Sequence, residues 1–479
     1  VYRKIVMDTI WLPDITGREG PKYKALADAI RSAIEEGALT VKQKLPPVRD
    51  LAWDLKITPG TVARAYTLLT DEGTLEAAVG RGTFVAKPKA VSEFSNKTDY
   101  LVDVVTLPNS VNPTPDVVRL TSPQLPDVGQ AALIQGLMAQ VAANPRSGVM
   151  HYPNRATFKP AREAVLTWLR GTPLGPIDES DIVLSHGGQN GVSLALQSIL
   201  HGSNPVILVE ELSYPGFLRA AALLRAEVIA IPMDAHGMIP EAIAAVAKSQ
   251  NVQAICTSPE VHNPTGLFTP QARRDEIAEV ARQHDIQIIE DDCYRMGASR
   301  APSYRMIAPE RGWYVSSISK TLTPALRIGF VVAPKRSVPA LRRSAEYGFF
   351  GLSTLLADLT ERLLGEPEAA ECASKVNAIF SRYVQTCVNH LGGFDLTWHK
   401  DVPFVWLRLP QGWRASAFCQ AAEAAKVQIR PAEEFAGREA RAQHAVRIAI
   451  NAQIDHDHFE AALMRLSNLL NNPPERIGV

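Results

Sequence analysis

Apolar residues recur at three- and four-residue steps from Lys22, where Tyr23, Leu26, Ala27, Ile30 and Ile34 share one face until Gly37 ends the run. That spacing predicts a helix with a single buried stripe. Leu45-Pro46-Pro47 forms a rigid turn, with Pro47 suited to the first turn of a second helix from Val48 to Leu55. Ile57 and Thr58 make a corner. Pro59 opens a third helix, whose apolar face is Val62, Ala63, Tyr66 and Leu69 and which ends near Asp71-Glu72-Gly73. Leu75 to Ala78 and Thr83 to Val85 read as short strands joined by Gly80-Arg81-Gly82. Three short helices and a glycine-tipped hairpin predict a winged helix-turn-helix over residues 1–86. Ahead of it, Ile10-Trp11-Leu12 is an apolar patch expected to pack on some other surface.

Residues 87–118 are rich in Pro, Ser, Asn and Thr, and read as a linker with an entry strand at 103–108. From 119 to 338 helical and extended patterns alternate. Helices are expected at 129–142, 160–170, 189–201, 215–225, 239–249 and 271–284, with strands at 205–209, 227–231, 252–257 and 286–290. Val206-Ile207-Leu208-Val209 is apolar throughout, as in a mostly parallel sheet covered on both faces. Residues 339–479 predict a smaller α+β domain. It has long helices at 340–364 and 369–391, strands near 404–409, 427–429 and 445–450, and further helices at 415–425 and 457–470. The fold class is therefore α/β behind an N-terminal winged helix.

Composition narrows the function. The 479 residues carry 50 Lys/Arg against 50 Asp/Glu, so no global field recruits nucleic acid and any such binding must come from local placement. Five scattered cysteines without a CxxC pair suit a reduced, cytoplasmic protein without structural zinc. Nothing approaches a run of 18 apolar residues, and the first residues lack a signal-like apolar core, so no membrane insertion is expected.

Charge is placed where a winged helix reads DNA. Residues 20–86 hold nine Lys/Arg against eight Asp/Glu, a weak excess, but Arg49, Thr61, Arg64, Arg81 and Gly82 fall on the reading elements. Small polar residues at the start of the third helix let backbone N–H groups approach phosphate and let Arg64 reach base edges. Arg49 can grip the backbone, and Arg81 sits at the wing tip. A winged helix that docks protein instead is the alternative.

The second chemistry centres on Ser317-Ile318-Ser319-Lys320, followed by Arg327. A lone lysine near serines is ordinarily a surface lysine. Here Thr323-Pro324-Ala325-Leu326 breaks two apolar runs, which puts Lys320 and Arg327 on a structured loop. A buried amine beside hydroxyls and a guanidinium suits pyridoxal 5'-phosphate. Other pieces fall at strand ends, where sites of such sheets collect. Gly188 and Gln189 open a helix whose N–H groups can bind phosphate. Tyr214 can stack on a flat ring, and Asn263 can donate to a phenolate oxygen. Glu290-Asp291-Asp292 ends a buried strand, where acids need partners. A pyridinium nitrogen is one partner, and a metal ion the competing one. Neighbours on a strand face opposite ways, so only one of the pair serves; Asp292 is chosen, with Tyr294 on the same side.

Two resemblances follow. Leu45-Pro46-Pro47-Val48-Arg49-Asp50-Leu51-Ala52, Thr61-Val62-Ala63-Arg64-Ala65-Tyr66 and Gly80-Arg81-Gly82-Thr83-Phe84-Val85 resemble the DNA-binding domain of GntR-type regulators. Asn263-Pro264-Thr265-Gly266 and the Lys320 stretch, across residues 105–470, resemble fold-type I, class I/II aminotransferases. That second resemblance implies Lys320 as internal aldimine and proton shuttle, Asp292 on the pyridine nitrogen and Tyr214 on the ring. It implies Asn263 and Tyr294 at the phenolate oxygen, and Gly188, Gln189, Ser317 and Arg327 at the phosphate. Tyr152 resembles a residue that reaches a partner subunit's phosphate, which implies a homodimer, although Thr157 stands where a glycine is usual. Arg447 resembles the arginine that clamps a substrate carboxylate. The combination resembles the MocR subgroup: a regulator of double-stranded operator DNA that senses an amine or amino acid through aldimine chemistry at Lys320. A working aminotransferase with an accessory DNA-binding domain is the alternative. No metal is expected.

Overall fold

The computed structural model describes residues 11–13, 21–72, 74–78, 82–86, 117–146, 148–437 and 443–473, and the chain divides into two compact units, residues 1–103 and 104–479. In the first unit the helices run Lys22–Glu35, Val48–Asp54 and Pro59–Asp71, followed by strands Leu75–Ala78 and Gly82–Val85. Local causes set these boundaries. Gly37 takes φ +76°, a conformation glycine adopts without steric penalty, just past the first helix. Thr58 is extended and its side chain accepts the Thr61 N–H, while Pro59 occupies a position that needs no donor. The strands pair antiparallel, Leu75 opposite Val85, and Lys44 bridges to Phe84. Leu26, Ile30, Leu51, Val62, Leu69 and Val85 form one core, and Trp11 packs against it, so part of the leading apolar patch finds its surface here.

The second unit is built on a seven-stranded sheet ordered Ile182–Ser185, Gly329–Val332, Gly312–Ser317, Gln287–Asp291, Val252–Thr257, Val206–Glu210 and Glu227–Ile231. Gly329–Val332 runs antiparallel to both its neighbours, and the remaining pairings are parallel. Most of these strands are buried along their whole length, the reason their sequences lack polar alternation. A four-stranded antiparallel sheet, ordered Asp395–Thr397, Phe404–Arg408, Ala445–Ala449 and Arg430–Pro431, forms the smaller lobe.

Three features differ from the sequence-based expectation. The helix expected over 340–364 is two helices, Val338–Phe349 and Thr354–Gly365, parted where Phe350 and Gly351 both take positive φ and Ser353 caps the second. Val118, Leu120 and Leu125 pack with Phe380, Phe418 and Phe459 in the smaller lobe, so the chain enters through that lobe. Conversely, Val338, Leu341, Leu359 and Leu363 pack against the large sheet, which keeps residues past 338 with the larger lobe. The strand expected at 103–108 lies outside the described residues.

Candidate functional site

The loops beyond the carboxyl ends of five mutually parallel strands enclose a cavity of about 230 Å³. Lys320 lines it three residues past strand Gly312–Ser317, in a turn closed by the Leu322 N–H on Ile318 C=O. Its Nζ stands 5.6 Å from the centre of the Tyr294 ring and, among the described residues, makes no hydrogen bond or ion pair. Gly188, Gln189, Tyr214, Asn263, Tyr294, Ser317, Arg327 and Arg447 line the same space.

One group of these residues forms a small basic cradle. Gly187 takes φ +80°, and a side chain there would collide with the Arg327 guanidinium. At Gly188 a side chain would strike the Cys293 sulfur and come within 3.9 Å of the Ser317 hydroxyl. Arg327 donates to the Ser319 hydroxyl at 3.4 Å. Gly187 and Gly188 are the first residues of helix Gly187–Ile199, whose leading N–H groups have no partner within the helix. Gln189 donates to Gly216 C=O at 2.9 Å, while its own carbonyl oxygen is buried without a partner among the described residues.

The acids divide differently from expectation. Asp291, not Asp292, lines the cavity. Strand Gln287–Asp291 ends at Asp291, so the alternation that paired Asp292 with Tyr294 does not extend past it. Asp292 turns to the other side, where it accepts from Arg295 at 2.6 Å and from the Tyr314 hydroxyl at 2.6 Å. Those two groups supply the partners its burial demands. Among the described residues Asp291 accepts only the Cys293 N–H, at 3.1 Å, and burial pushes its carboxyl up to about 6. Nearby, burial pushes Glu210 up to about 7, and one of its oxygens has no partner.

Asn263 and Arg447 are coupled. Arg447 Nη1 donates to Asn263 Oδ1 at 2.5 Å and Nη2 to Thr121 C=O at 2.8 Å, with Phe404 and Phe435 rings 5.3 Å and 4.7 Å away. This burial lowers the guanidinium's affinity for its proton. Asn263 keeps its amide N–H₂ free for the cavity, because its oxygen is the group that Arg447 engages. His262 anchors the turn below: its Nε2 donates to Leu212 C=O at 2.8 Å and Nδ1 accepts from Thr265 at 2.6 Å. Burial pushes His262 down to about 4, so it is neutral.

Tyr152 lies outside the cavity lining, 82% exposed, with its ring 5.8 Å from that of Phe350. Ser319, one of the hydroxyls beside Lys320 in the sequence, also lines the cavity, and Arg219, Arg430 and Cys293 line it unanticipated. Cys293 follows from its place between Asp291 and Tyr294; Arg219 and Arg430 come from segments that only tertiary packing brings together. Among the described residues, His456, Asp457 and Glu460 bring ligand atoms within 4.8 Å of one another, with His456 held by Thr386 and Glu460 by His390.

In the first unit Arg49 and Arg64 are exposed. Arg64 lays its guanidinium 4.2 Å from the centre of the Tyr23 ring. The Thr58 and Thr61 hydroxyls lie 2.9 Å apart at the start of the third helix. Gly82 has φ +113° and leaves room for the Lys44 side chain. Arg81 lies outside the described residues.

Comparison with known proteins agrees with this division. Residues 115–466 match the aminotransferase class I and II family, and residues 22–85 match the gntR family of bacterial regulatory proteins. The HTH-type transcriptional regulator YdeF of Bacillus subtilis is 27% identical over 96% of this chain and 97% of its own. The vitamin B6 salvage pathway transcriptional repressor PtsJ of Salmonella typhimurium is 28% identical over 84% of this chain and 88% of its own. In fold, a kynurenine aminotransferase of Pyrococcus horikoshii superposes with a TM-score of 0.68 at 20% identity, over 81% of this chain and 97% of that one. No helix among the described residues is long and apolar enough to cross a membrane.

Proposed function

The chain belongs to the class I and II aminotransferase family and joins to it a gntR-type DNA-binding domain, the MocR-type build of transcription regulators, and from that premise we propose that it senses an amine or amino acid at Lys320 and adjusts its grip on operator DNA accordingly. The observation that carries the reading is Lys320, an amine without hydrogen-bond or ion-pair partners among the described residues, in a cavity that also holds a buried acid, a basic cradle and a buried arginine.

The family's cofactor is pyridoxal 5'-phosphate, and the cavity's residues fit it. Asp291 is a buried carboxyl that has no cationic partner among the described residues, which a pyridinium N–H would supply. The cradle of Gly188, Gln189, Ser317, Ser319 and Arg327 is open where a side chain would fill it and suits a phosphate. Tyr214 would cover the ring, and Asn263 with Tyr294 would meet its hydroxyl. When bound, the cofactor supplies an electrophilic carbon that captures amines and withdraws electrons from them. Lys320 presents the nitrogen that anchors it and, when displaced, can hold or move a proton. Arg447, stripped of water between two aromatic rings, orients an incoming carboxylate.

In the N-terminal unit, Arg49, Thr61, Arg64, Arg81 and Gly82 are the DNA-contacting set. The reading locates the protein in the cytoplasm, with its DNA. A homodimer supplies two reading heads for a two-part site, and the exposed side chains Met150, Tyr152, Tyr347 and Phe350 support a subunit contact there. Turnover as an aminotransferase is a second reading, favoured by the completeness of the set around Lys320.

The test is the visible spectrum of the purified, cofactor-loaded protein, titrated with a panel of amines and amino acids and repeated on Lys320→Ala. The expected result is a band lost in the variant and shifted by one class of amine, with a matching change in affinity for operator DNA. A band that no amine moves would sink the sensing mechanism. Release of a keto acid product from an added donor pair would favour the enzyme reading.

A further inference from the structure

Two arginines of the cavity have no role in the reading above. Arg219, on helix Pro215–Leu223, and Arg430, on strand Arg430–Pro431, both line it. Arg430 stands directly opposite Arg447 across antiparallel strands, so their side chains leave the same face of the small sheet. Like charges in that register repel, the more so where water is excluded. Glu434 answers part of this, 3.4 Å from Arg430. Arg447 gives two nitrogens to uncharged acceptors and keeps a buried Nε without a partner among the described residues. Arg219 Nε is likewise buried without an acceptor, and among the described residues Arg219 and Arg447 form no ion pair. Glu434 feels the charge of all three guanidiniums, which marks them as one basic cluster. Arg327 belongs to a different group, with Ser319 and Gly187.

Three guanidiniums facing one carboxylate accommodate two more negative charges. We propose that the effector is an amine with two carboxylates, one held by Arg447 and the second by Arg219 and Arg430. This rests on the amine-sensing reading and narrows its ligand. A monoacid would leave Arg219 without a carboxylate and Arg430, half-buried, with only its share of Glu434. A diacid gives each a charge-assisted acceptor.

The test compares matched pairs on the full-length, cofactor-loaded protein. L-glutamate and L-norvaline share a five-carbon chain and differ in the distal acid, and the visible band reports both. Glutamate is expected to bind about tenfold to a hundredfold more tightly. Arg219→Gln and Arg430→Gln should each lower the glutamate-to-norvaline ratio about tenfold, with Arg430→Lys intermediate. A retained cofactor band certifies that each variant is folded. Glutarate and pentanoate lack the amine, so their effect on Tm reads the acid subsite without amine capture. Glutarate is expected to stabilise more than pentanoate, with the difference lost in the Arg219→Gln/Arg430→Gln double variant. That pattern without any amine-induced band shift would keep the diacid subsite and remove the sensing reading. Band shifts that favour norvaline as much as glutamate, with glutarate no better than pentanoate, would overturn the second-acid assignment and leave sensing in place.

Discussion

Asp291 and Asp292 are chain neighbours with opposite tasks, and substitution separates them. Asp291→Asn removes the charge that would face the cofactor nitrogen while leaving Asp292 with its partners, so the visible band should weaken or shift with little change in Tm. Asp292→Asn instead strips Arg295 of its carboxylate in a site where the acid side chain is 2% exposed. An unpartnered buried charge costs about 3 kcal/mol, so that variant should lose stability by denaturant unfolding whether or not cofactor is present. The reverse pattern would restore Asp292 to the cavity role. His262 sets a pH dependence of known sign. Its folded-state value near 4 lies below the ordinary 6.5, so the unfolded chain binds the extra proton first. The stability it contributes is full above 6.5 and drains away as pH falls toward 4, about 3 kcal/mol in all. Glu210, Glu290 and Asp291, raised to about 7, 8 and 6, act in the opposite direction and favour the acid side. The histidine is therefore read as a difference: wild type should lose more stability than His262→Gln between those two pH values. Parallel curves would mean that the imidazole takes up its proton at the same pH in the folded as in the unfolded chain.

Among the elements, the third helix of the winged unit carries the most local information in its first turn. Thr58 caps it through the Thr61 N–H at 3.3 Å, and the same turn is exposed for DNA. Thr58→Ala should cost about 1 kcal/mol in the stability of that unit and weaken duplex binding, while Thr58→Ser should restore both. A destabilised variant with wild-type DNA affinity would detach the cap from the reading face. Such caps and stripes are why this unit was legible residue by residue: Pro59, Gly37 and the Leu26–Ile30 face each act within a few residues of themselves. The large sheet is legible as a class, yet Ile182–Ser185, Gly312–Ser317 and Gly329–Val332 are not among the strands that the sequence pattern predicts. The break at Phe350-Gly351 interrupts an otherwise helical run, and a φ of +57° at a phenylalanine has no signature in the sequence. Asp291 is not singled out by the sequence because period-2 alternation stops with its strand, one residue short of Asp292. Arg219 and Arg430 were missed because a helix near residue 219 and a two-residue strand near 430 meet only through the packing of the two lobes around Leu212, Trp406 and Phe435.

At the scale of the whole molecule, the proposed sensing and DNA binding would form one thermodynamic cycle, and this constrains the experiment more tightly than any structural detail. If an amine changes DNA affinity by some factor, DNA must change amine affinity by the same factor. Both quantities are measurable independently. The first is the ratio of operator Kd with and without saturating amine, and the second is the ratio of amine Kd, read from the visible band, with and without saturating operator. The expectation is two equal ratios, within about 5- to 150-fold, the range typical of coupled sites. Lys320→Ala should bring the first ratio to one without altering how DNA affinity falls with salt, because the phosphate contacts belong to the other unit. Arg49→Ala should do the converse, flattening the salt dependence by about one ion per reading head while the two ratios stay equal to each other. Because the equality is a thermodynamic necessity, unequal ratios would show that one of the two titrations had not reached equilibrium or saturation. A ratio of one in both, beside a band that amines do shift, would leave the cavity a chemical site with no bearing on DNA.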